Sequence, residues 1–135
     1  MPGRYMPIEE LEMFSQIEAV ADEIWGMVAK WDFFAKDTTG KQLVRAADSI
    51  GANLVEGDGC HHHRDSLNFF HNARAAARET KYFLARCSKR KLILQQTGDR
   101  LTLEIDSILR QINAIIRTRR EWFVTVKEPE AEYTV

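Results

Sequence analysis

The chain has 135 residues, enough for one domain with a core of its own and no need of disulfide or metal staples. Hydrophobic residues make up 44% and charged residues 29%, a globular balance, and the formal net charge is −1. There is no run of about 18 apolar residues and no apolar signal core after Met1-Pro2-Gly3-Arg4, so a cytoplasmic protein with reduced Cys60 and Cys87 is expected.

The first predicted helix covers residues 8–31. Phe14, Ile17, Ala21, Ile24, Val28 and Trp31 recur at alternating steps of three and four, a heptad-like seam that Met13, Val20 and Met27 widen toward a second neighbour. Glu12, Glu18, Asp22 and Glu23 fall on its other face. A link at 32–37 follows, and its Phe33 and Phe34 are expected to plug one end of the bundle. The second helix is predicted over 38–56, capped by Thr38 or Thr39. Gly57-Asp58-Gly59 then ends it through glycine's access to the left-handed conformation. On a helical wheel Leu43, Ala46, Ala47, Ile50, Asn53, Leu54 and Gly57 share one side, against Lys41, Arg45, Asp48, Ser49 and Glu56 on the other. The small residues allow a neighbouring helix to approach closely, and an amide buried among them must find hydrogen-bond partners.

The third helix is predicted over 62–89. Phe69, Phe70, Ala73, Ala76, Ala77, Thr80, Phe83, Leu84 and Cys87 fill one side of it. Gly98-Asp99 opens a fourth helix over 99–123, buried through Leu101, Ile105, Ile108, Ile112, Ile115, Trp122 and Phe123. Residues 127–135, with Pro129 and alternating acids, read as a frayed tail. Four amphipathic helices on short links predict a single all-α domain, an antiparallel up-down-up-down four-helix bundle.

Charge is unevenly distributed. Residues 1–40 carry three bases against eight acids, net −5. Residues 41–95 carry ten bases against five acids, net +5, and are the part able to attract a polyanion. Residues 96–135 carry six bases against seven acids, net −1. Arg74, Arg78, Lys81 and Lys89 form a stripe on the third helix, with Arg86, Arg90 and Lys91 nearby. Three readings of the stripe are open: a solvated face, a surface neutralised by the acidic face of the first helix, or a contact for phosphates. Tyr82 is the aromatic beside it, so backbone contact is favoured over base stacking.

Other candidate chemistry is sparse. Cys60-His61-His62-His63 lacks the paired short spacings of structural zinc sites, and contiguous residues do not converge easily on one tetrahedral ion, so no metal is expected. Cys60 lies near a helix N-terminus, a position that lowers a thiol pKa, and Cys87 reads as a small core residue. No phosphate loop, His-Glu-x-x-His or dinucleotide fingerprint occurs, so neither an enzymatic activity nor a cofactor is expected.

The run Arg45-Ala-Ala-x-Ser49-Ile-x-Ala-Asn53-Leu-x-Glu56-Gly57 resembles the signature of small bacterial four-helix-bundle proteins first noted in intervening sequences of 23S ribosomal RNA genes. The accessory variability protein of diversity-generating retroelements is part of that family. Leu67 to Thr80, with Ala75, Ala76, Ala77 and Glu79, is similar to the family's third helix. The resemblance implies a ring-shaped homopentamer. For the retroelement members it also implies a basic surface for nucleic acid and a reverse-transcriptase partner. It makes Arg45, Ser49, Asn53, Glu56 and Gly57 structural residues: Arg45 paired with an acid of a neighbouring helix or subunit, Asn53 fixing register inside the bundle. Many relatives have Gly-x-Gly-Arg after the second helix where this chain has Gly57-Asp58-Gly59-Cys60, and its pI of about 6.4 departs from their basic character. The reading is therefore a non-enzymatic, homo-oligomeric, nucleic-acid-associated accessory protein contacting through Arg74, Arg78, Lys81, Arg86 and Lys89. The alternative is a protein-interaction scaffold without nucleic-acid contact.

Overall fold

The computed structural model describes residues 7–60 and 62–126, with only the backbone described for 122–126. The expected core roles of Trp122 and Phe123, the tail at 127–135 and His61 lie outside these residues or their described side chains. The described residues form four long helices: α1 Glu12–Val28, α2 Lys41–Asp58, α3 His63–Lys89 and α4 Gln95–Val126.

The predicted first helix is shorter than expected. Leu11 is extended (φ −77°, ψ 143°) and separates α1 from a 3-10 turn at Ile8–Glu10. That break folds Ile8 back onto the core, where its N–H donates to Asp58 Oδ2 at 3.1 Å. After α1, Asp32 caps a short helical turn, Phe33–Ala35, by accepting from the Ala35 N–H. Trp31 and Ala35 take the inward positions of this link, leaving Phe33 and Phe34 78% and 76% exposed. The two phenylalanines do not plug the bundle.

A π-turn at Lys36–Gly40 runs directly into α2, so the helix needs no side-chain cap there. Thr38 Oγ1 instead donates back to the Phe34 carbonyl at 2.6 Å, and Thr39 is buried with its hydroxyl 3.8 Å from Cys87 Sγ. The far end of α2 also departs from expectation. Gly59 is right-handed (φ −86°), and Gly57 sits within the helix, buried where α3 crosses it. Its value is space for a close approach, not left-handed freedom. The left-handed helix ending falls after α3, at Lys91 (φ 64°). There Leu92 N–H donates to Cys87 O and Lys91 N–H to Ser88 O, closing the orphan carbonyls of the helix end.

α4 starts before the predicted position, and Gly98 lies inside its first turn. A Cβ there would meet the Ser88 hydroxyl, which would have to turn aside. Toward the far end of α4 the buried position is Ile116, with Ile115 half-buried beside it.

Cross-helix bonds fix the topology. Gln111 meets Gln16 and Arg100 meets Glu23, so α1 and α4 are antiparallel. Arg74 meets Asn113 and Lys81 meets Asp106, so α3 and α4 are antiparallel as well. The start of α1 lies at the end of α2, and the approach to α2 lies at the end of α3. Each helix packs on its two ring neighbours, and α1 stands diagonally across from α3. The interior is filled by Leu43, Ile50, Leu54, Phe70, Leu84, Leu101, Ile105, Ile108 and Ile112, all at most 1% exposed. Each contributes on the order of 1.5–3 kcal/mol through removal of apolar surface from water. This is the antiparallel four-helix bundle the patterning predicts.

Candidate nucleic-acid interface

The α3 stripe predicted from sequence is real but unequal along its length. Arg78 and Lys89 are exposed, whereas Arg74, Lys81 and Arg86 are half-buried. Arg74 is held by Asn113 Oδ1 at 3.1 Å and lies against His71. Lys81 is neutralised by Asp106 at 2.6 Å, a partly exposed pair worth at most about 1 kcal/mol. The neutralising acid belongs to α4. The acids of α1 cannot cover the stripe within one protomer, because α1 is diagonal to α3. Glu23 of α1 is engaged by Arg100, which also pairs with Glu104.

The α3–α4 register brings in cations that the sequence reading missed. Moving along α4 from Asp106, which faces Lys81, steps of four, three, four and three reach Arg110, Asn113, Arg117 and Arg120. Those steps keep one helix face. Asn113 faces Arg74 and Arg120 faces His71, so Arg110 and Arg117 border the same seam from the other side. The surface is therefore a two-helix arginine face of Arg74, Arg78, Arg110, Arg117 and Arg120. Among the described residues no acid pairs with Arg78, Arg110 or Arg117. Arg86 lies two turns beyond Arg78 and roughly 80° around the helix. Exposed Lys89, eleven residues beyond Arg78, returns to within about 20° of it and continues the α3 side of the face three turns further along.

The signature residues of α2 fall into two groups. Gly57 belongs to a corner that ties the bundle together. Ser66 Oγ donates to Gly57 O at 2.8 Å, and Phe70 packs against the glycine. Beside it Asp58 accepts from Ile8 N–H and from Arg119 Nη2 at 3.3 Å, while the Arg119 guanidinium lies 5.1 Å above the Phe70 ring. Asn53 is half-buried, and its Nδ2 donates to Ser49 O one turn earlier. It thus satisfies a backbone carbonyl, as expected of it, but one of its own helix. The second group, Arg45, Ser49 and Glu56, faces outward. Arg45 donates to Gln42 Oε1 of its own helix, not to an acid of a neighbouring helix, and Ser49 Oγ donates to Arg45 O.

Arg45 and Ser49 line a groove of about 710 Å³ between α1, the link and α2, whose floor is apolar: Trp25, Val28, Ala29, Phe33, Val44 and Ala52. Trp25 is 62% exposed there. Cys60 donates to Glu56 O at 3.3 Å, and its pKa is raised by burial and by Asp65 and Glu56, contrary to the lowering expected from its position. Cys87 is buried against Thr39 as the core residue predicted, with burial pushing its thiol pKa up. No described helix is long and apolar enough to cross a membrane.

The fold and signature define an all-α bundle protein whose distinguishing residues lie along α2 and at its junction with α3. The sequence profile of the 23S rRNA-intervening sequence proteins matches residues 9–114, and the chain belongs to that family. Among solved structures, a protein of unknown function from the S23 ribosomal protein family of Bacteroides thetaiotaomicron is similar, with a TM-score of 0.69 and 22% identity. That match covers 77% of this chain and 97% of the other, and it speaks for the shared fold. Among curated proteins no relative matches the chain.

Proposed function

We propose that this chain is a non-enzymatic, homo-oligomeric accessory protein whose α3–α4 face holds the phosphate backbone of RNA or DNA. The observation that carries the reading is the convergence of arginines from two helices on one face, with Arg78, Arg110 and Arg117 unpaired by any described acid. Arginine forks suit phosphate oxygens, and a stiff helical scaffold presents them without a backbone ordering cost. A near-neutral net charge is compatible with this, because residues 1–40 carry net −5 and α1, diagonal to α3, holds four acids and no Lys or Arg. Lys81 contributes less to this face than its neighbours, since Asp106 already occupies it. Arg86 and Lys89 extend the contact only for a strand that continues toward the far end of α3.

Binding of this kind is tolerant of sequence and sensitive to salt. Five arginines facing single-stranded RNA and contacting three to five phosphates should give a slope of log affinity against log salt of about −2 to −4 per protomer. Titration of labelled single-stranded RNAs of unrelated sequence measures it. Absence of binding at low salt to any RNA or DNA moves the function to the protein-scaffold reading.

The apolar groove supports that second role, either beside the first or in place of it. Trp25 and Phe33 are large exposed apolar groups, and Arg45 and Ser49 of the family signature line the same groove without serving the core. We assign it to contact between copies in a closed ring, a pentamer by family resemblance. A reverse-transcriptase-like partner would meet the assembled ring. Light scattering is expected to give a multiple of the 15.6 kDa protomer mass at micromolar concentration, reduced to one protomer in Trp25→Glu/Phe33→Glu. A wild-type chain that is cleanly monomeric would remove the ring.

A further inference from the structure

His71 lies between two guanidinium groups. Its Nδ1 is 2.9 Å from Arg74 Nη2, and its Nε2 is 3.1 Å from Arg120 Nη2. A neutral imidazole has one acceptor nitrogen and one N–H, while a guanidinium has donors only. Whichever tautomer forms, one arginine is accepted and the other faces an N–H. Protonation of the ring leaves donors opposed to donors on both sides. The charges acting on His71 among the described residues are Arg74 from its own helix and Arg120 from α4, both positive. Burial first, and these two charges next, hold its pKa below the ordinary histidine range. Arg74 is also braced by Asn113, so the cluster is positioned by both helices.

Three groups rich in donors and short of acceptors match one kind of ligand. A tetrahedral oxyanion brings several acceptor oxygens and a compensating negative charge, and it allows the imidazolium to donate. We propose that His71, Arg74 and Arg120 form a phosphate-binding site at the end of the arginine face, coupled to protonation of His71. The proposal deepens the nucleic-acid reading and rests on it for the identity of the phosphate, a backbone phosphodiester. The sign of the coupling follows from the geometry. Phosphate favours the charged ring, so it raises the His71 pKa, and affinity increases as pH falls through that pKa. Without ligand the opposite pressure acts: the low folded-state pKa of His71 removes stability as pH drops below the ordinary histidine value.

The test is the His71 ring resonance followed by NMR against pH, assigned with His71→Gln. It is recorded in sodium chloride, in inorganic phosphate at matched ionic strength, and with a short single-stranded RNA. The expected result is a titration moved to higher pH by phosphate and by RNA, and unmoved by phosphate in Arg120→Ala. Identical titrations in chloride and phosphate would overturn the site. RNA that binds in a salt-dependent manner without moving His71 would overturn the site while leaving the arginine face intact. A phosphate response with no RNA binding supports the site for free phosphate and removes the nucleic-acid reading.

Discussion

Gly57→Val should destabilise the bundle by about 3 kcal/mol, the upper range for forcing extra volume into a packed interior. A Cβ at this position would meet Phe70 Cε1 at 2.7 Å, Phe70 Cδ1 at 2.9 Å and Phe69 Cβ at 3.0 Å. Phe70 is completely buried and lies beneath Arg119, so its ring cannot move away without disturbing core neighbours or that contact. The displacement would also strain the Ser66 bond to the Gly57 carbonyl and the neighbouring Asp58 contacts to Ile8 and Arg119. Gly57→Ala should be milder, because alanine recovers about 1 kcal/mol of helix propensity. Thermal unfolding followed by circular dichroism measures both, with a loss on the order of 10 °C expected for valine. A Gly57→Val protein that melts within ~2 °C of wild type would show that α2 and α3 do not cross at this glycine.

The same glycine shows what is legible in a sequence. The apolar side of α2 is correct in Leu43, Ala46, Ala47, Ile50, Leu54 and Gly57, because burial follows the 3.6-residue period directly. The role of Gly57 is different from its expected one. A glycine after an amphipathic stretch looks the same whether it ends the helix by a left-handed turn or admits a neighbouring ring. Only the position of Phe70 distinguishes them. Phe33 and Phe34 mislead in a similar way. Hydrophobicity predicts burial, but Asp32 capping the link turns Trp31 and Ala35 inward and leaves both phenylalanines outside. Asp58, read as part of a turn, joins three segments of the chain through partners 50 and 61 residues away, a role with no local signal.

For the candidate interface, half of the pattern was visible. The α3 stripe follows from helical spacing alone. Its partners on α4 were hidden because the net charge of residues 96–135 averages Arg110, Arg117 and Arg120 with the acids of the tail. The spacing Arg110-x-x-Asn113-x-x-x-Arg117-x-x-Arg120 was the available signal, and it becomes meaningful once α4 is antiparallel to α3. The same register neutralises Lys81 with Asp106, which no wheel drawn for α3 alone reveals.

The second large effect is functional and falls on that two-helix face. Arg78 and Arg110 are both exposed and lie on opposite sides of the seam between α3 and α4. Replacing both with glutamate removes two cations and adds two anions without touching a core residue. Loss of two phosphate contacts together with added repulsion should weaken single-stranded RNA binding by about a hundredfold or more at low salt. Lys36→Glu/Lys41→Glu makes the same change in charge at the other side of the molecule, on the rim of the apolar groove. It should cost much less in a protein whose oligomeric state, checked by light scattering, is that of wild type. The decisive measurement is therefore RNA affinity at one fixed low salt concentration for wild type and these two double variants, with helicity checked in each. A selective collapse of binding in Arg78→Glu/Arg110→Glu is the predicted result, and equal affinity of the two charge-reversed proteins would contradict the account.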